Sequence, residues 1–183
     1  MDEIVTINTI VDLSQRNNQR FDLAKGEISP EKLAQHAFSF AYGFKDIIDL
    51  ITDPLKIDQI MNCEQIASII SLVDEILLKS LIYEGMKPED LKKYIIEHDL
   101  YKLFQMLERN EQEALLEEYN KISRKPIERE AYLQGIEEIK DTFSQFRYCF
   151  EMKGFTLKQR FLLEFSKSLF NYCREKRTIR TNG

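Results

Sequence analysis

The chain has 183 residues, 43% of them hydrophobic and 31% charged, with a formal net charge of −5. This composition belongs to ordinary globular proteins and excludes a disordered chain, and the acidic balance excludes a general basic footprint for nucleic acid. The six Gly and four Pro are few for the length, which disfavours a turn-rich β architecture and suits long helices with short connections.

Cys63, Cys149 and Cys173 are widely spaced and form no C-x-x-C pair. They read as reduced thiols within helices, not as a disulfide frame or a zinc site, and no cofactor or metal site is expected. No apolar run of about eighteen residues occurs, so no membrane span is expected. The start, MDEIVTINTIVDL, lacks a cationic n-region and does not read as a signal peptide. The expectation is one helical domain over residues 1–183, cytoplasmic, with a partly irregular segment at 1–28 and a basic tail at 174–183.

In chain order, Ile4, Ile7, Ile10 and Val11 sit at helical spacing, although their β-branched content also suits a strand. Ser29-Pro30 is a helix start, with Ser as N-cap and Pro in the first turn. The stripe Leu33, Ala37, Phe40, Ala41, Phe44, Ile47, Ile48 and Ile51 continues it until Asp53-Pro54. The next helix, which ends at Glu84-Gly85, carries Ile66, Ile69, Ile70, Val73, Ile76, Leu77 and Leu81, with Leu72, Leu78 and Ile82 widening the stripe. A helix apolar around so much of its circumference belongs at the centre of a bundle.

Pro88 opens a short helix, EDLKKYII, and Asp99 is placed to cap the next, through Leu100, Leu103, Phe104 and Leu107. Asn110 with Glu113 fits a capping box, and Lys125-Pro126 ends that helix. From Glu128 to Lys153 the spacing of Ile136, Ile139, Phe143, Phe146 and Phe150 predicts one long helix with a packing seam. Thr156 and Gln159 suggest a further capping box, for a last helix through Leu157, Phe161, Phe165, Leu169 and Tyr172. The closing REKRTIRTNG is basic and reads as a fraying end. The fold class that results is all-α, an up-and-down bundle of about six or seven helices.

Glu75-Ile-Leu-Leu-Lys79, then Gly85, then His98-Asp99-Leu100 with Leu103, resembles the HEPN family (higher eukaryotes and prokaryotes nucleotide-binding). Arg147-Tyr-x-x-Glu151 is also similar to a stretch found in some bacterial HEPN-like proteins. The resemblance covers residues 63–153. It implies a bundle of four or five core helices, often a homodimer, and a role in toxin, antiviral or abortive-infection systems. Many such families cleave RNA without metal, through an Arg, then four to six residues, then a His, with two copies meeting at one composite site; others bind or scaffold.

The two histidines, His36 and His98, do not complete that pair. Lys93 stands five residues before His98, but Lys does not replace the planar, bidentate guanidinium. The nuclease pair is therefore absent from the pattern. Arg147 and Glu151 admit two readings: a phosphate contact with its orienting carboxylate, or a structural ion pair completed by Asp74 or Glu75. His98 is a candidate proton donor beside the capping Asp99, and Lys79 reaches either a carboxylate or solvent. His36 falls near Leu33, Ala37 and Phe40 and reads as a core or interface residue.

The leading functional expectation is a HEPN-like binding protein with RNA or an antitoxin-type protein as partner. One alternative is a divergent endoribonuclease using Arg147, Glu151 and His98 near a dimer axis. Another is a helical interaction module whose acidic face and aromatic seam bind a second chain.

Overall fold

The computed structural model describes residues 29–45, 64–87, 97–143 and 158–181. Among these residues there are six helices and no strand: α1 (Pro30–Tyr42), α2 (Glu64–Glu84), α3 (Leu100–Gln105), α4 (Arg109–Ile122), α5 (Arg129–Ile139) and α6 (Gln159–Thr181). The protein is all-helical, as its glycine-poor, periodic sequence predicts. None of the described helices is long and apolar enough to cross a membrane.

α2 is the centre. Its apolar residues Ala67, Ile70, Val73, Leu77, Leu78 and Leu81 are buried, and so are Ser71, Asp74, Glu75, Lys79 and Ser80. The helix packs on α1, α6 and α3, so little of its circumference meets water. Ile69 alone of its expected stripe is clearly exposed, at 37%. Placing carboxylates on such a helix carries a desolvation cost that partners must offset.

α1 begins as the sequence predicts, with Ser29 Oγ accepting from the Lys32 backbone N–H at 3.3 Å and Pro30 in the first turn. Its buried face matches the predicted one in part. Pro30, Ala34 and Ala41 are buried, whereas Phe40 is 45% exposed and His36 is exposed rather than set in an apolar core. The alanines let α1 approach α2 closely, and Phe38 and Phe44 cover the seam from the side. The predicted continuation through Ile51 lies outside the described residues.

Asp99 is the N-cap of α3, accepting from the Lys102 N–H at 3.0 Å, and Leu100, Leu103 and Phe104 are buried. α4 starts at Arg109, before the predicted capping box. Glu113 pairs instead with Arg109 Nε at 2.6 Å, and Asn110 Oδ1 accepts from its neighbour's N–H, so that box does not form. Residues 128–153 are not one unbroken helix: α5 ends at Ile139, and the Lys140 carbonyl turns away to accept from the Leu100 N–H at 3.2 Å. α3 and α5 are tied end to end by that bond. The basic C-terminal stretch is helical, α6 running to Thr181.

The core centres on Tyr132, whose ring is fully buried against Phe104, Tyr119, Phe161 and Phe165. Gly135, one turn further along α5, lies flat beneath the Phe161 ring. These contacts lock α3, α4, α5 and α6 together, and α2 completes the bundle. The predicted elements at 4–13, 88–95 and 144–153 lie outside the described residues.

Candidate functional site

Two adjacent carboxylates on α2 meet different surroundings. Glu75 is 4% exposed, and its Oε1 accepts from Lys79 Nζ at 2.8 Å, one helical turn on. The same oxygen lies 2.9 Å from His98 Nδ1. A carboxylate paired with an ammonium only accepts, so Nδ1 carries the hydrogen that reaches it, and the imidazole Nε2 remains for other chemistry.

His98 arrives there through the turn that precedes α3. Glu97 Oε1 accepts the backbone N–H groups of His98 and Asp99, each at 3.0 Å, and its Oε2 lies 3.5 Å from Lys102 Nζ. Burial alone would push the Glu97 carboxyl up, but the two backbone N–H groups and Lys102 bring it below its ordinary value. Asp99 caps α3 in the same turn. The turn is thus fixed on both sides, and the imidazole is set against α2 while its side chain stays 59% exposed.

This arrangement joins Glu75, Lys79 and His98, with Asp99 beside them. Chemically, a buried carboxylate holding an exposed imidazole can orient it for proton transfer. The same three residues also form a latch between α2 and the start of α3. Lys79 is 8% exposed and reaches inward to a carboxylate rather than to solvent.

Asp74 has no such compensation. It is 0% exposed, and neither carboxylate oxygen makes a hydrogen bond of good geometry, Ser166 Oγ being near it but poorly aligned. Burial holds its carboxyl well above the ordinary range, with Ser166 of α6 the one opposing influence. Arg147 and Glu151, the tentative catalytic pair, lie outside the described residues, as does any ion pair they make with Asp74 or Glu75.

A second cluster closes the far end of α2. Glu84, whose side chain is 7% exposed, meets Arg177 at 2.9 Å and Lys176 at 3.3 Å; Lys176 also contacts Glu111. Arg177 donates to the Ala34 carbonyl at 3.2 Å and lies 4.8 Å from the Phe38 ring centre. The basic end of the chain is therefore a clasp over α1, α2 and α4. A cleft of about 800 Å³ opens beside it, lined among others by Met86, Met106, Glu111, Tyr172 and Lys176. Sequence reasoning had no local signal for this clasp, because its partners lie far apart in the chain.

Among the described residues, no group of three or more His, Cys, Asp or Glu could hold a metal ion. Cys173 is fully buried, and burial pushes its thiol far up, so it is not poised for nucleophilic chemistry. No protein-family model, curated protein or solved structure matches the chain.

Proposed function

We propose that this chain is a HEPN-like protein of the defence or toxin-associated kind that acts by binding RNA or a protein partner, with the usual Arg–His nuclease pair absent. The observation that supports this reading is the sharing of one Glu75 oxygen between Lys79 and His98. These residues belong to the two short segments that resemble the family. Their charges are directed inward to hold α2 against the turn before α3, which is an architectural use. Lys79, at 8% exposure, is not presented to a phosphate. The bundle would act as a homodimer that offers a surface.

The test is equilibrium binding of labelled single-stranded RNA across a salt series, with the oligomeric state followed by sedimentation. The reading expects a dimer and either saturable RNA binding that weakens with salt or stable association with a cognate protein partner. A monomer that binds neither would overturn it.

One observation favours a second reading, a divergent metal-independent endoribonuclease. The His98 side chain is 59% exposed while Nδ1 rests on a buried carboxylate. In that reading Glu75 fixes the tautomer, and Nε2 takes the proton of the attacking 2′-hydroxyl as its oxygen bonds phosphorus and gives a proton to the 5′-oxygen as the P–O5′ bond breaks. The charge on the phosphate would then be met by Arg147, near a dimer axis. Cleavage by the wild type that is lost in His98→Ala, with folding intact, would decide for it.

A further inference from the structure

Asp74 and Glu75 are neighbours on α2 at 0% and 4% exposure, yet only Glu75 is given cations. Around Asp74 the polar groups are hydroxyls. Ser166 of α6 is the one hydroxyl that acts on it from a neighbouring helix. Ser71 Oγ, Ser166 Oγ and Tyr132 Oη are buried without hydrogen-bond partners, as are both Asp74 oxygens. No charged group among the described residues offsets an Asp74 carboxylate from α1, α3 or α6, the elements packed on α2. An ionised carboxylate buried among unpaired hydroxyls is costly, whereas a carboxylic acid is a neutral donor suited to them.

We propose that Asp74, fully buried on α2 where it packs against α6, stays protonated in the folded chain at neutral pH and, with Ser166 facing it, forms a proton-operated lock between the two helices. Loss of that proton places a bare charge in the core and loosens α6, and with α6 the clasp that Lys176 and Arg177 make over α1 and α4. The lock is a conformational device independent of the Glu75–His98 latch, and it does not rest on the functional reading above.

The direction follows from linkage. In the unfolded chain an Asp ionises near 3.8, and in the folded chain burial raises that value. Between the two values the folded state holds a proton that the unfolded state has released. Asp74 therefore lowers stability progressively as pH rises through that window, and its effect is flat above it.

The experiment compares melting temperatures of the full chain and of Asp74→Asn from about pH 5 to pH 9. Every other titratable group is common to both proteins, so the difference between the curves isolates Asp74. The wild type is expected to lose several degrees relative to Asp74→Asn as pH rises. Parallel curves would overturn the lock. The infrared spectrum of the wild-type chain in D2O at neutral pH gives a second readout that needs no variant. A protonated-carboxyl C=O stretch is expected, and its absence would overturn the proposal even if Asp74→Asn fails to fold.

Discussion

Glu75 on α2 and His98 before α3 stand 23 positions apart in the chain and meet at 2.9 Å through one carboxylate oxygen. That oxygen also takes the Lys79 ammonium at 2.8 Å. The contact ties the turn before α3 to α2. Glu75→Gln would remove the carboxylate that Lys79 and His98 share. We predict a loss of about 1–3 kcal/mol in denaturant unfolding, the range for losing a buried charge-assisted hydrogen bond. His98→Ala, whose side chain is 59% exposed, should cost about 1 kcal/mol or less.

A methyl group added at Gly135 would overlap the Phe161 ring, well inside van der Waals contact distance. That ring is held between Tyr119, Tyr132 and Phe165 and has little room to move. Gly135→Ala should therefore destabilise the chain by about 1–3 kcal/mol, despite the better helix propensity of Ala. Urea unfolding measures it, and Phe161→Leu in the same chain should recover part of the loss.

The aromatic residues show how far the sequence carries. Helical periodicity correctly identifies α2 as central and Ser29-Pro30 and Asp99 as helix starts, because these are local properties of spacing and side-chain capping. It places the buried face of α1 only in part: Ala41 is buried as expected, but Phe40 is exposed and Ala34, outside the expected stripe, is buried, because close approach to α2 selects the small residues. The joining of Glu75 to His98 and of Glu84 to Arg177 is not legible at all. Each pair spans elements whose relative placement no local pattern specifies. The burial of Asp74 beside Ser166 is hidden for the same reason.

Arg177 bridges the Glu84 carboxylate at 2.9 Å and the Ala34 carbonyl at 3.2 Å. Arg177→Ala is predicted to cost about 1–3 kcal/mol, discounted from the fully buried range because the guanidinium remains 19% exposed. Combined with Glu84→Gln it should cost less than the sum of the two single changes, since both remove the same bond. Limited proteolysis should show earlier cleavage near α1 in Arg177→Ala, as the helix loses its tie to α6.

Glu97 carries the acid sensitivity of the turn before α3. Its folded value lies below the ordinary 4.5, so the stability it contributes is fully present above pH 4.5 and is lost as pH falls through the folded value. Glu97→Gln should therefore be less stable than wild type at neutral pH and approach it at acidic pH. Thermal melts of both proteins from about pH 3 to pH 7 measure that convergence.

The central claim is that Glu75, Lys79 and His98 serve as a latch within a binding protein and not as a nuclease centre. The most direct measurement incubates wild type and His98→Ala with end-labelled single-stranded RNA, free of divalent metal, and follows its length on a denaturing gel. The account predicts full-length RNA with both proteins throughout the time course. Cleavage that grows with time for the wild type and disappears in a folded His98→Ala would contradict it.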